Sequence, residues 1–290
     1  YRRSGLQLAV RRLGLLVLRC VGAAVLTPKR DIPSLERQFV RLGRDGGLVT
    51  VELINSRPLN ILGSGAIDEL TQAFRTISQE GDARVVVLRG AGEKAFIGGA
   101  DINEMVALDR ASGEVFIRRL ADLCEAIRQC PVPVVARLAG WCLGGGLEVA
   151  ISCDLRIAES GAKFGMPEVA VGIPSVIHSA LLPALIGASH AGWLLLTGET
   201  IDAETAAGWG LVHEVVAADE LDRRIAELTT KLGGFGTYAV RQQKRLLNKW
   251  FDMSVHGAIE DSIEQFGLAF LTGEPQRHMQ AFLSRKSGKS

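Results

Sequence analysis

The sequence predicts a layered α/β fold, and three observations support this prediction. Between residues 38 and 158, short apolar strands alternate with amphipathic helical stretches, as in units with parallel strands. After residue 174 strand-like patterns nearly stop, and helical periodicity continues almost to the C-terminus. With 47% hydrophobic and 22% charged residues, the composition is that of a globular chain and excludes disordered, collagen-like and coiled-coil proteins.

The first predicted elements are two paired strands and a helix. Residues 38–42 and 48–54 alternate in polarity, and Asp45-Gly46-Gly47 forms the turn between them. Ser64 is the expected N-cap of a helix that covers residues 66–77. The apolar residues that share one face of this helix are Ile67, Leu70, Phe74 and Ile77.

Further strands and helices alternate along the rest of the α/β part, with a glycine-rich loop at residues 90–100. The predicted elements are strand 84–88, helix 112–129, strand 133–138, helix 144–152 and strand 154–158. Later helical patterns cover 175–186, 189–196, 203–208, 219–231, 238–250, 255–270 and 275–284, with one strand-like piece at 211–216. The sequence therefore divides into an N-terminal leader (1–37), an α/β core (38–232) and a helical C-terminal region (233–290).

Charge is unevenly distributed along the chain. The net charge is only +1, which argues against a dedicated nucleic-acid binder. Residues 1–30 contain seven basic and no acidic residues, whereas the rest of the chain contains 26 basic and 32 acidic ones. The apolar stretch of the leader is interrupted by Arg19 and is shorter than the roughly 20 residues that span a bilayer, so no membrane span is predicted. A mitochondrial transit peptide, a secretory signal and a leader outside the fold remain open, and the expected compartment is the cytoplasm or the mitochondrial matrix.

The cysteines and histidines do not form a metal-binding pattern. None of the five cysteines has CxxC spacing, and the apolar surroundings of three of them indicate small core residues in a reducing compartment. The five histidines form no HExxH group, and we predict neither a metal ion nor a cofactor. His178 and His213 are expected to lie near buried surface as structural residues.

Two glycine-rich loops each follow a predicted buried strand, at residues 94–101 and 141–148. Glycine allows the backbone to approach a ligand closely, and a helix start offers unsatisfied amide donors. One amide from each loop would form an oxyanion hole for an enolate or a tetrahedral intermediate. The alternative is that each glycine cluster is only a tight turn.

Two glutamates, Glu148 and Glu168, lie in otherwise apolar sequence twenty residues apart. Each is either a solvated residue or a partly buried acid with a raised pKa, which is what general acid–base catalysis requires. Adding water to a double bond next to a carbonyl needs a base, an acid and stabilisation of an enolate. Two such glutamates beside an oxyanion hole would supply all three.

With these motifs, the sequence resembles the crotonase family, the enoyl-CoA hydratase/isomerase superfamily, over about residues 38–290. The matching segments are 94–105, 133–158, 163–173, 194–216 and 279–286. The resemblance implies a spiral of stacked β-β-α units with a C-terminal helical trimerisation region. It also implies homo-oligomers, either trimers or dimers of trimers.

The resemblance also implies roles for individual residues. The oxyanion-hole amides fall on Ala100 and Gly145; Glu148 activates water and Glu168 gives a proton to the α carbon. Coenzyme A, as part of the substrate, is expected near the loop 57–60 and near Ala100–Asn103. The residues expected to bind substrate are Arg57, Leu59, Ala100, Asp101, Ile102, Asn103 and Gly145. Arg285 and Lys286 either meet the CoA phosphates or belong to a solvated tail.

The chain departs from the family pattern at three places. Residues 175–178 (SVIH) replace a glycine-rich stretch beside the acyl pocket, Asn103 stands where lysine is common, and the bulky Trp141 precedes the second loop. The expected activity is hydration of 2-enoyl-CoA thioesters. The alternatives are another crotonase activity, such as double-bond isomerisation or CoA-thioester hydrolysis, and a non-catalytic or RNA-binding family member.

Overall fold

The structure, a computed structural model, describes residues 38–54 and 58–287, so the predicted leader lies outside the described residues. The strands are β1 (Val40–Asp45), β2 (Leu48–Leu53), β3 (Val85–Gly90), β4 (Ala95–Ile97), β5 (Val134–Leu138), β6 (Trp141–Leu143), β7 (Leu155–Glu159), β8 (Lys163–Gly165), β9 (Thr200–Asp202) and β10 (Glu214–Val216).

The helices lie between and after these strands. They are α1 (Ser64–Glu80), α2 (Ile102–Met105), α3 (Arg110–Arg128), α4 (Gly145–Ser152), α5 (Leu182–Thr197), α6 (Ala203–Gly208), α7 (Leu221–Gly233), α8 (Thr237–Trp250), α9 (Val255–Ala269) and α10 (Glu274–Ser287). Four 3₁₀ turns join them: Pro167–Val171, Ile177–Leu181, Ala218–Glu220 and Phe270–Thr272.

The larger sheet confirms the predicted α/β class. Its strand order is β1-β2-β3-β5-β7-β10, in which β1 and β2 form the predicted antiparallel hairpin and the other neighbours are parallel. Both faces are covered, because α1 and α3 belong to the main core and Leu221 and Ile225 of α7 pack on the opposite face. Parallel sheets are typically buried on both faces, which explains the continuous apolar runs that predicted these strands.

The smaller sheet was missed by the sequence prediction. Its order is β4-β6-β8-β9, and each strand has only three residues, too few to show a period. Strands β4, β6 and β8 directly follow β3, β5 and β7, so each strand of the larger sheet is continued by one of the smaller sheet. This repetition gives the stacked β-β-α spiral that the resemblance implied.

Helix α1 starts at Ser64, two residues before the predicted start at residue 66. Gly63 is the N-cap, and Ser64 is the first helical residue, so the prediction of Ser64 as the cap was wrong. The reason is a tertiary contact: the Ser64 hydroxyl and amide both donate to the carboxylate of Glu104. The predicted apolar face is confirmed, since Ile67, Leu70, Phe74 and Ile77 are all buried.

One segment of the described residues, 177–197, has the length and mean hydropathy, 1.5, of a membrane-crossing helix. It is not a continuous α-helix. It begins as a 3₁₀ turn, and Gly187 interrupts α5 with non-helical backbone angles (φ 77°, ψ 155°). Ala191 and Leu194 of this segment are buried in the core. It therefore gives no clear membrane span.

The C-terminal helices are anchored to the α/β part through α8. The buried Lys244 ammonium lies 2.7 Å from Asp154 Oδ2 and donates to the carbonyls of Ile127 and Val132. By contrast, α9 and α10 leave large apolar side chains exposed. These are Val255, Ile259, Ile263, Phe266, Leu268, Met279, Phe282 and Leu283.

Candidate active site

The two glycine-rich loops meet at the amides of Ala100 and Gly145. A methyl group added to Gly145 would lie 4.0 Å from the amide nitrogen of Ala100. Leu62 fixes the chain on both sides of Ala100, because its amide donates to the Gly99 carbonyl and its carbonyl accepts from Asp101 N. Within the described part of the chain, neither Ala100 N nor Gly145 N has an acceptor. Both predicted oxyanion-hole amides are thus available as donors, and their joint binding of one ligand oxygen stays a prediction.

Close packing explains the glycines of the second loop. A side chain at Gly146 would overlap the carbonyl of Ile97, so α4 approaches β4 at backbone contact distance. Gly144 has φ +51°, and a methyl group there would overlap Oε1 of Glu168. These contacts exceed what a simple tight turn requires, which favours the interpretation of the loop as part of a site.

Glu148 lies one turn inside α4 and is almost completely buried, with 3% of its surface exposed. Its Oε1 accepts a hydrogen bond from Ser179 N at 2.9 Å. Burial, and secondarily the charge of Glu168, raises the pKa of Glu148 from 4.5 to about 8, although the amides of Ser179 and His178 act in the opposite direction. This carboxyl group therefore holds a proton at neutral pH.

Glu168 lies in the 3₁₀ turn Pro167–Val171 and is half-buried. Its Oε2 accepts a hydrogen bond from the Ser175 hydroxyl at 2.8 Å, while its Oε1 lies against Gly144. The charge of Glu168 acts on Glu148, so the two carboxyl groups are close enough to influence each other. The structure thus brings together both predicted glutamates and both predicted amides.

Sequence reasoning missed the role of residues 175–179. These residues were noted only as bulk beside the acyl pocket, but Ser175 contacts Glu168 and Ser179 contacts Glu148. Ile177 has φ +41°, a conformation that is rare for a β-branched residue and is typical of strained functional turns. The presence of two serines, Ser175 and Ser179, in largely apolar sequence was the signal that could have indicated these contacts.

The proposed CoA-binding loops lie side by side. Gly98 N donates to the Leu59 carbonyl at 2.7 Å, and both Leu59 and Ile102 are exposed. Asn103 is also exposed, and Asp101 caps α2 by accepting from Asn103 N at 3.0 Å. Arg57 lies outside the described residues.

Asn60 was included in the proposed CoA-binding loop, but its side chain has another role. The side chain is buried, and its amide nitrogen donates to the carbonyls of Ala91 and Ala95 at 3.1 and 2.7 Å. These bonds fix the loop to the chain before β4. The part of this loop in CoA binding stays a prediction.

Two further predictions concern residues at the edges of the site and in the tail. Trp141 is 40% exposed at the start of β6, and its effect on the width of the site stays a prediction. Arg285 is exposed, and its Nε donates to the Ala281 carbonyl of its own helix. The Lys286 side chain lies outside the described residues, so a contact of this pair with CoA phosphates stays a prediction.

The cysteines and histidines have structural surroundings. Four cysteines are buried with free thiols, which confirms that they are core residues: Cys124, Cys130, Cys142 and Cys153. Cys20 lies outside the described residues. His213 Nδ1 accepts a hydrogen bond from Arg156 N, and burial lowers the pKa of His213. Among residues 38–54 and 58–287, no group of histidine, cysteine and acidic side chains is arranged to hold a metal ion.

Comparisons with known proteins agree with this geometry. The family model for enoyl-CoA hydratase/isomerase matches residues 43–289. The chain is 33% identical over 253 residues to a short-chain-enoyl-CoA hydratase of Clostridium acetobutylicum, covering 87% of this chain and 97% of that protein. It is 32% identical over 246 residues to a crotonyl-CoA hydratase of Syntrophomonas wolfei, covering 84% and 95%. The crystal structure of an enoyl-CoA hydratase from Bacillus anthracis superposes with a TM-score of 0.82 at 30% identity, covering 86% and 97%.

Proposed function

The chain belongs to the enoyl-CoA hydratase/isomerase family, and we propose that it adds water to 2-enoyl-CoA thioesters to give 3-hydroxyacyl-CoA. The main supporting observation is the placement of two glutamates around a loop with free amides. The charge of Glu168 contributes to the raised pKa of Glu148, and Glu168 lies against Gly144, next to Gly145.

In the proposed mechanism, the amides of Ala100 and Gly145 bind the thioester carbonyl oxygen. They stabilise the negative charge that develops there as the oxygen of water adds to the β carbon. The Glu148 carboxylate takes a proton from the water, and the carboxyl group of Glu168 gives a proton to the α carbon. One hydroxyl group and one hydrogen are thus added, and the pair of glutamates retains one proton overall.

The location of that single proton changes during the proposed reaction. In the free protein, burial keeps the proton on Glu148 at neutral pH. Hydration with Glu148 as the base requires the proton to reside on Glu168, while the total charge of the pair stays the same. The bound water provides a route for this transfer between the two carboxyl groups.

We propose short acyl chains as the substrate class. Val176 and Ile177 occupy the segment beside the glutamates, and Trp141 lies at the start of the strand that leads to Gly145. Such side chains reduce the space for a long acyl tail. The relatives named as short-chain-enoyl-CoA and crotonyl-CoA hydratases support the same range.

The direct test is the loss of enoyl-thioester absorbance when the purified protein is mixed with crotonyl-CoA, followed by longer and branched 2-enoyl-CoA thioesters. We expect fast decay with crotonyl-CoA, a hydroxyl group at the β carbon, and lower kcat/KM for longer chains. If all of these thioesters bind but none gains a hydroxyl group at the β carbon, hydration is excluded in favour of isomerisation or thioester hydrolysis. Absence of binding would favour a non-catalytic role.

We also propose that the protein works as a homo-oligomer assembled through its C-terminal helices. A groove of about 620 Å³ is lined by apolar residues of α9 and its preceding turn, among them Ile259, Ile263 and Phe266. These three side chains are more than half exposed. A contiguous apolar surface of this kind is typical of protein–protein contacts.

Replacing Phe266 by aspartate is expected to dissociate the oligomer, because a charge would have to be buried in the apolar contact. Sedimentation velocity would measure the change from oligomer to monomer. Val115→Asp makes the same chemical change at an exposed position on α3 and should leave the assembly intact. A wild-type protein that sediments as a monomer at micromolar concentration would contradict this proposal.

A further inference from the structure

We infer that Ser175 is a positioning residue that fixes the orientation of the Glu168 carboxyl group. This inference rests on the proposed hydration and adds a side chain to that reaction. Its basis is the hydrogen bond from the Ser175 hydroxyl to Glu168 Oε2, with a donor–acceptor distance of 2.8 Å.

The two oxygens of Glu168 have different surroundings. Oε2 is bound by Ser175, whereas Oε1 occupies the place that a methyl group on Gly144 would need. The next residue, Gly145, carries one of the two free amides. Because Ser175 holds Oε2, Oε1 is the oxygen that faces the second glycine-rich loop, where the thioester carbonyl would bind.

The segment 175–179, which leads into the 3₁₀ turn Ile177–Leu181, also contacts the second glutamate. Ser179 N donates to Glu148 Oε1, and the Ser179 hydroxyl donates to the Val176 carbonyl at 2.5 Å. Between them, Ile177 has a positive φ of 41°. A strained residue persists only where its surroundings determine the conformation. This segment therefore fixes both carboxyl groups: that of Glu148 through the Ser179 amide, and that of Glu168 through the Ser175 hydroxyl.

The hydroxyl contributes to the proton transfer itself. When Glu168 gives its proton, the O–H bond on Oε1 breaks, and the electron pair of the enolate forms the new C–H bond at the α carbon. The negative charge then resides on the Glu168 carboxylate, where the Ser175 hydroxyl already donates to Oε2. Hydrogen bonds to a charged acceptor are stronger than those to a neutral one. Ser175 therefore stabilises the product of the transfer and keeps Oε1 on one face of the substrate.

The test compares wild type with Ser175→Ala during hydration of crotonyl-CoA in D₂O. Loss of a hydrogen bond to a charged group should lower kcat about tenfold, with KM unchanged within about twofold. NMR of the wild-type product should show deuterium on one face of the α carbon. The Ser175→Ala product should show deuterium on both faces. A purely structural role for Ser175 would not change this stereochemistry.

Two further variants complete the test. Ser175→Thr retains the hydroxyl and should restore both kcat and single-face labelling. Ser78→Ala removes a half-buried hydroxyl that donates to the Phe74 carbonyl in α1, so it should match the wild type. An active wild type whose kcat and labelling are unaffected by Ser175→Ala would overturn this inference alone. A wild type that binds crotonyl-CoA without hydrating it would overturn the proposed function and this inference together.

Discussion

Glu148→Gln should lower the rate of crotonyl-CoA hydration by about 10²–10⁴-fold, the usual contribution of a general acid or base. The amide cannot take a proton from water, but it has nearly the same shape and retains an oxygen that can accept from Ser179 N. We therefore expect the variant to fold normally and to bind the thioester with little change in affinity.

The same substitution should change how stability depends on pH. Because burial raises the pKa of Glu148 from 4.5 to about 8, the unfolded chain ionises this group at lower pH than the folded protein does. The stability linked to this proton is fully present below pH 4.5 and is lost as the pH rises through about 8. The full loss between these two pKa values amounts to about 5 kcal/mol of the free energy of unfolding, and Glu148→Gln should remove it.

Urea denaturation at pH 5 and pH 9 measures this effect, together with initial rates at pH 7. Glu168→Gln is the matched variant: it should also lower hydration by orders of magnitude, while the stability of the protein should still fall as the pH rises. A folded Glu148→Gln protein with a near-normal rate would contradict the acid–base assignment. Equal pH dependence in wild type and Glu148→Gln would contradict the buried, protonated state of Glu148.

Much of the fold was predictable because it depends on local patterns. The apolar runs of β3 and β5 and the helical face of α1 each show their period within one element. The two glycine-rich loops and the two glutamates were also visible, since glycines or acidic residues interrupt apolar sequence at these places. Their convergence became a specific expectation only through the family resemblance.

The remaining features depend on contacts between residues distant in sequence. The strands of the smaller sheet are three residues long and exist through pairing with one another. Asn60 looked like part of a binding loop, yet its amide satisfies two carbonyls more than thirty residues away. Ser175 is seven residues from Glu168, and neither composition nor periodicity shows that its hydroxyl meets that carboxylate.

Gly144→Ala tests the placement of Glu168 from the opposite side. The added methyl group would overlap Oε1 of Glu168, so the carboxyl group must move away from the amide loop. A displacement of about 1 Å at a catalytic group can lower the rate by about 10²-fold, and we expect at least this loss in kcat/KM for crotonyl-CoA. The φ of +51° at this position adds about 1–3 kcal/mol of backbone strain, so the midpoint of urea denaturation should also decrease.

Gly81→Ala separates the two effects of that substitution. Gly81 ends α1 with φ +76°, and an added methyl group there would meet no atom within 4 Å. This control should reproduce part of the loss in stability and retain the wild-type rate, because its only cost is left-handed backbone strain. If Gly144→Ala is as active as Gly81→Ala, Glu168 tolerates displacement and its contact with Gly144 does not determine the chemistry. A much lower rate for Gly144→Ala, with the protein folded, would instead show that this contact places the proton-transferring oxygen.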